Sequence, residues 1–221
     1  DGTPNDGNST LPMGLSRDVK LVSSSFSVVE DAFVSTKSLN PDGSATLAIS
    51  GTIGNFRNRD VKTELKLKIS PENFAGASLA LPAQILTLHP GENQFSLETT
   101  VKNPHLWWSW DLGKPNLYRL TAALSPQAGN SRSVVFGIRT IVVKRDMSYW
   151  LNGRRLFLKG AWYPMSDYYG SRSTHDTFLK DLELVKAANL NHLVAFTVVE
   201  KPDFYNLCDR MGILLIFELP F

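Results

Sequence analysis

Residues 189–221, NLNHLVAFTVVEKPDFYNLCDRMGILLIFELPF, constrain the fold more than any other stretch, because they read in one pass as strand, helix and strand. Residues 192–199 form the first apolar run. Pro202 suits the opening turn of a helix, Phe204, Leu207, Cys208 and Met211 recur at helical spacing, and Gly212 supplies the stop. Residues 213–217 are continuously apolar, as a parallel strand buried on both faces requires. Upstream, Ser173 or Thr174 can cap a helix that carries Phe178, Leu182, Val185 and Ala188 on one side. Residues 156–159 are expected to form a short strand ending at Gly160. Such alternation demands a parallel sheet with helical crossovers. Two or three parallel strands covered on one side leave a face and both edges bare. The sheet is therefore expected to continue beyond Phe221, and to be weakly ordered after about Gly160 unless a partner or second copy covers it.

Before Arg145 the period is different. Between Val19 and Arg145 short alternating segments are separated by turn signals, the pattern of an antiparallel sandwich. In residues 62–69, Leu65, Leu67 and Ile69 fall on one face and Glu64, Lys66 and Lys68 on the other. Leu47, Ile49 and Ile53 repeat the alternation before a turn at 55–60, and Phe95, Leu97 and Val101 repeat it after Pro90-Gly91. Further strands are expected at 117–124 and 131–143. Six or seven strands in this span fit an immunoglobulin-like sandwich. The lone cysteine, Cys208, excludes the disulfide of antibody domains and reads as a buried apolar side chain. After Arg145, Asn152-Gly153 suits the positive backbone angles of a tight hairpin. Eight strand-helix units need about 250 residues, far more than follow the sandwich, so the fold class is mainly β with an α/β segment: a sandwich followed by the first strands and helices of a (β/α)8 TIM barrel.

Charge and composition narrow the function. The 23 basic and 21 acidic residues are scattered, giving a net charge of +2 and no electrostatic footprint for nucleic acid or an anionic membrane. No run approaches the roughly 18 to 20 apolar residues that span a bilayer. The polar start, DGTPNDGNST, lacks the basic and apolar regions of a signal peptide, so any export signal is expected upstream. His192 is isolated from other ligand types and reads as a core or rim histidine. Neither a metal nor any cofactor is indicated, and no phosphate-binding glycine loop or serine or cysteine nucleophile motif occurs.

Three stretches together resemble the multidomain retaining glycosidases of glycoside hydrolase family 2, which include β-galactosidase, β-glucuronidase, β-mannosidase and exo-β-glucosaminidase. Residues 12–21, PMGLSRDVKL, look like the last strand of the family's jelly-roll domain and are most similar to the mannosidase and glucosaminidase branch. Asn103-Pro104-His105-Leu106-Trp107-Trp108 and the following Gly113-Lys114-Pro115-Asn116-Leu117-Tyr118-Arg119-Leu120 resemble the family's Asn-Pro-x-Leu-Trp segment and the strand after it. Phe136-Gly137-Ile138-Arg139, Leu151-Asn152-Gly153 and Phe157-Leu158-Lys159-Gly160 look like the passage from sandwich to barrel. The resemblance implies three domains: the end of a jelly roll at 1–22, a sandwich at 23–146 and the opening of the barrel at 147–221. It also implies a carbohydrate substrate and a periplasmic or secreted home. Trp107, Trp108 and Trp110 can be read as a sugar platform, but inside a sandwich they are expected to fill the core or the contact with the next domain.

Retaining hydrolysis needs two carboxyl groups about 5–5.5 Å apart. The resemblance implies that both come from later barrel strands, about the fourth and the seventh, so no residue of this chain is assigned as catalytic and the chain itself is expected to be inactive. Trp162, Phe196, Glu200 and Glu218 are the candidate substrate-binding residues, with Asp167 a further possibility: Glu200 and Glu218 follow apolar strands at the end where barrel active sites sit, Trp162 and Asp167 lie just beyond the first barrel strand, and Phe196 is an aromatic able to stack on a sugar. In the resemblance, Glu218 matches an acidic position that family members keep after their third strand. Glu200 alternatively reads as a solvated carboxylate before a helix start, favoured by the helix dipole. The family's second strand typically reads Asn-x-x-Arg-x-x-His-Tyr-Pro, whereas here Val194 and Thr197 replace the Arg and the His. Neither supplies the Arg's fixed fork of donors. That departure leaves a second reading, a non-catalytic glycan-binding or scaffolding relative.

Overall fold

The computed structural model describes residues 19, 26–125, 131–167, 172–196 and 199–218. The expected jelly-roll end at 1–22 lies outside these residues apart from Val19. Strands β1 (Ser27–Leu39), β2 (Ala45–Asn55) and β6 (Gly91–Val101) form one antiparallel sheet in the order β1-β2-β6. Strands β3 (Val61–Pro71), β4 (Leu79–Ala80), β5 (Gln84–Leu88), β7 (Tyr118–Ser125) and β8 (Ser131–Phe136) form the second, in the order β4-β3-β7-β8 with β5 also on β3. β4 and β5 pair with different parts of the same edge of β3, so they are two pieces of one edge strand, parted around Pro82, which has no ladder N–H to give. Seven strand positions result.

The inward face of each sheet is the apolar set that alternation selects. Leu47, Ile49, Ile53, Leu65 and Leu120 are fully buried in a single core between the sheets. Each such side chain contributes about 1.5–3 kcal/mol on leaving water. Gly51 interrupts the inward row of β2 for a steric reason. A Cβ there would lie 2.6 Å from the Phe95 ring, which fills the space from the partner strand.

The run expected as one strand over 131–143 is broken. β8 ends at Phe136 and β9 (Ile141–Val143) joins a different sheet, of order β11-β10-β9, with β10 (Tyr149–Leu151) and β11 (Arg154–Leu156). The break makes room for Trp107: its backbone N–H donates to the Ile138 carbonyl at 2.9 Å, and a Cβ on Gly137 would sit 2.7 Å from the Trp107 side chain. Asn152 and Gly153 have φ of 49° and 77°, the hairpin geometry that their sequence predicts. Because β9 pairs with β10, the expected division between residues 146 and 147 falls inside this sheet.

The parallel sheet has the order β12-β13-β14, formed by β12 (Gly160–Tyr163), β13 (His192–Phe196) and β14 (Leu214–Glu218), with α1 (His175–Ala187) and α2 (Pro202–Met211) as crossovers. Its first strand starts at Gly160, where the sequence reading ends one. Asn191 causes the shift by holding the intervening backbone: its side chain accepts from Lys159 N at 2.9 Å and donates to the Phe157 carbonyl at 2.9 Å. Thr174, not Ser173, is the N-cap of α1, in a reciprocal capping box with Thr177. Gly212 ends α2 at φ 74°. Both helices lie on one face of the sheet, where Tyr163, Leu193 and Leu215 meet Phe178, Leu182, Phe204 and Leu207. β14 is consequently not buried on both faces. Among the described residues it is the last strand of its sheet, and its Phe217 and Glu218 are exposed.

Residues 107–111 join the two parts. Trp107 is fully buried; its indole N–H donates to the Asp209 carbonyl at the end of α2 at 2.8 Å, and Arg139 stacks over its ring. The Trp110 indole donates to the Leu190 carbonyl at 2.9 Å, and its backbone N–H to the Gly212 carbonyl at 3.0 Å. Glu72 of the sandwich receives Arg119 at 2.8 Å and Arg210 of α2 at 2.6 Å, and these two guanidinium groups hold its carboxyl below the usual carboxylate range. Trp107→Phe removes one bond across this junction and is expected to lower stability by about 1–3 kcal/mol. Amide exchange should show the loss concentrated in α2, and an equal loss throughout the sandwich would contradict the assignment.

Candidate functional site

Register fixes which side chains share the face left open by the helices. Trp162 is beside Val194, and Val194 beside Ile216; one step toward the carboxyl ends, Phe196 is beside Glu218. Successive residues of a strand alternate faces, so Trp162, Val194 and Ile216 lie opposite the helix-packed Tyr163, Leu193 and Leu215. Trp162 is 70% exposed and Glu218 is exposed as well. The fold thus brings Trp162 and Glu218 to one face, with the backbone of Phe196 paired beside Glu218. Val194, which stands where the resemblance calls for an arginine, is in the same row as Trp162. Thr197 lies outside the described residues.

Glu200 is placed differently from the solvated reading. It is 3% exposed, and its carboxylate accepts the backbone N–H of Ser166 at 3.2 Å, tying the segment after β13 to the segment after β12. Its own backbone N–H donates to Tyr205 Oη at 2.9 Å. Burial raises its pKa above the ordinary carboxyl value, against the opposing pull of the Ser166 and Lys201 backbone groups. The segment between β13 and α2 turns inward at Glu200 because Tyr205, one helical turn into α2, captures that N–H. Asp167 pairs with Arg172 at 3.1 Å. Nearby, Tyr163 Oη donates to Asp181 of α1 at 3.0 Å.

At the opposite ends of the strands, His192 is buried against Gly160, where a Cβ would come within 2.1 Å of its ring. Desolvation lowers the His192 pKa, and its Nδ1 has no hydrogen-bond partner. Among the described residues no group of three His, Cys, Asp or Glu side chains is arranged to hold a metal. Cys208 is buried, and burial pushes its thiol pKa up, which disfavours the thiolate needed by a nucleophile. No described helix is long and apolar enough to cross a membrane.

Sequence reasoning missed the roles of Asn191 and Lys201. Asn191 is fully buried and bridges three segments, since its amide N–H₂ also donates to Asp111 at 2.8 Å. Its position before an apolar strand was the available signal, but the partners come from residues 111, 157 and 159, which only the fold assembles. Lys201 Nζ donates to the Ser173 carbonyl at 2.6 Å.

Residues 27–139 match the profile of Glycosyl hydrolases family 2, and residues 142–221 match that of Glycosyl hydrolases family 2, TIM barrel domain. The chain belongs to glycosyl hydrolase family 2. It is 34% identical to an exo-β-D-glucosaminidase of Arthroderma benhamiae over 59% of this chain and 15% of that protein. It is 27% identical to a β-galactosidase of Priestia megaterium over 93% of this chain and 20% of that protein. The crystal structure of a glycosyl hydrolase family 2 member from Bacteroides cellulosilyticus superposes with a TM-score of 0.77 at 26% identity, over 87% of this chain and 26% of that one. The chain therefore spans about a quarter or less of the length of these relatives.

Two outcomes follow from the site's geometry. Asn191→Ala strands the Phe157 carbonyl and the Lys159 N–H, and is expected to cost about 2–4 kcal/mol in urea unfolding. For Glu200 the folded pKa lies above the unfolded value of about 4.5, so the native state binds the extra proton between the two values. Stability contributed by this group is complete below the unfolded pKa and is lost as pH rises through the folded one. Melting-temperature profiles of Glu200→Gln and the parent should therefore converge toward pH 4 and separate toward pH 7, with the variant gaining relative to the parent. Parallel profiles would refute the shift.

Proposed function

We propose that this chain is part of a retaining glycoside hydrolase acting on β-linked glycosides, and that the carboxyl end of β12, β13 and β14 is one wall of its sugar site. The observation that carries the reading is the register that puts Trp162 and Glu218 on the open face, with position 196 beside Glu218, in a chain of a family whose named relatives are glycosidases. A flat indole offers a stacking surface to the apolar face of a pyranose, and a carboxylate beside it accepts hydrogen bonds from hydroxyl groups. Glu200 backs this wall from within. The substrate class is a β-mannoside, β-glucosaminide or β-galactoside. The same reading takes residues 23–146 as the sandwich domain and 147–221 as the opening of the catalytic barrel, with the two catalytic carboxylates on later strands. Water is then activated elsewhere, and these residues contribute binding and orientation.

Val194 favours a second reading. An apolar side chain in the row of Trp162 removes a charged group that could orient a catalytic carboxylate, as expected of a relative that binds glycans without cleaving them.

Aryl β-mannoside, β-glucosaminide and β-galactoside are expected to show no turnover with these 221 residues, and clear turnover would overturn the placement of the catalytic pair. Titration with the corresponding methyl glycosides should shift the Trp162 indole resonance saturably. Trp162→Ala, titrated by calorimetry alongside the unsubstituted chain, should weaken binding by about tenfold or more, the factor set by losing one stacked ring. Absence of any saturable shift would refute the sugar wall.

A further inference from the structure

Glu200 and Lys201 are consecutive, and both reach from the segment between β13 and α2 to the segment between β12 and α1. Glu200 takes the N–H of Ser166 at 3.2 Å, and Lys201 gives its ammonium to the carbonyl of Ser173 at 2.6 Å. The two gripped positions stand on either side of Asp167 and Arg172, whose side chains pair at 3.1 Å. Ser166 lies just beyond Trp162 and Tyr163 of β12, and Ser173 immediately precedes the N-cap of α1, so adjacent residues hold the exit of the strand and the entry of the helix.

The energetic setting of Glu200 argues against a simple surface role. Its side chain is shut from water, and the Ser166 and Lys201 backbone groups and the Lys201 charge offset that burial only in part, so its pKa stays raised. An incompletely compensated carboxylate costs stability. Such a cost is consistent with a group retained to fix geometry. Its backbone is locked in turn: Tyr205 Oη accepts the Glu200 N–H, and Tyr205 stands on α2, whose N-cap is Lys201. The orientation of both clamp residues is therefore set by the start of α2.

We propose that Glu200 and Lys201 form a clamp that holds the chain at Ser166, just after β12, and at Ser173, just before α1, and that the first of these contacts positions Trp162 at the carboxyl end of the parallel sheet. Glu200 is then a positioning residue that acts on sugar binding through Ser166 without touching the sugar. This rests on the reading of that end of the sheet as a sugar wall. It differs from a direct role in a way chemistry can separate. A carboxylate that contacts sugar loses its charged acceptor on conversion to an amide. A carboxylate that holds Ser166 N–H is replaced adequately by the amide oxygen of glutamine.

The test uses the full chain and methyl β-D-mannoside, methyl β-D-glucosaminide and methyl β-D-galactoside, followed at the Trp162 indole resonance. Glu200→Gln is expected to bind within about twofold of the parent, whereas Glu200→Ala and Lys201→Met each weaken binding about tenfold, the factor of one lost hydrogen bond. Glu200→Gln losing as much as Glu200→Ala would overturn the positioning role, as would Glu200→Ala binding like the parent. If the parent itself binds none of the three sugars, the sugar wall fails and the clamp is decided separately by amide exchange. Ser166 N–H should exchange about tenfold faster in Glu200→Ala and unchanged in Glu200→Gln. Equal protection of Ser166 in Glu200→Ala and the parent would overturn the clamp.

Discussion

The burial of Trp107 between the sandwich and α2 is the contact on which the arrangement depends. A tryptophan shut from water must give its indole N–H to an acceptor, and the Asp209 carbonyl at the last turn of α2 is that acceptor. The same residue's backbone carbonyl receives the Asn152 amide, and its N–H donates to Ile138. One side chain and its peptide groups therefore fix α2, the hairpin of β10 and β11, and the exit from β8 relative to one another. The neighbouring Trp110 adds bonds to Leu190 and Gly212, which set the entries into β13 and β14. A Cβ on Gly212 would lie 2.7 Å from Trp110 N, so the glycine at the end of α2 serves the close approach as well as the left-handed backbone.

Polar groups at the junction are organised around Asn191 and Glu72. Asn191 uses its amide oxygen and nitrogen on Lys159, Phe157 and Asp111, so a buried polar side chain is compensated by the two segments it joins to β13. Glu72 accepts two guanidinium groups, one from its own sheet and one from α2. Charge-assisted bonds of this kind are directional and resist sliding. The parallel strands consequently start from a defined platform, and their carboxyl ends project away from it. That separation, amino ends anchored and carboxyl ends available, is the layout in which barrel enzymes place chemistry.

Much of the fold was legible in the chain because alternation has a physical cause. Leu65, Leu67 and Ile69 alternate with Glu64, Lys66 and Lys68 because strand side chains point to opposite faces, and only one face meets the other sheet. The helix of residues 175–187 was legible from its apolar period and from the capping pair Ser173 and Thr174, of which the fold uses Thr174. Candidate site residues were legible only as positions. That Trp162, Phe196 and Glu218 share a strand end follows from counting along parallel strands. That Glu200 turns inward does not, because the burial of a loop carboxylate depends on Ser166 and Tyr205, neither of which marks itself as a partner in the sequence.

The sequence by itself determined the two periods, the turns at Asn152-Gly153 and Gly212, and the family, since each rests on local backbone preference or on residue identity. Tertiary structure alone decided where β8 stops, where β12 starts and which way Glu200 points. In each case a buried polar group or a bulky ring, Trp107, Asn191 or the Glu200 carboxylate, had to meet a partner distant in the chain. Local propensity carries no information about such partners, and packing does.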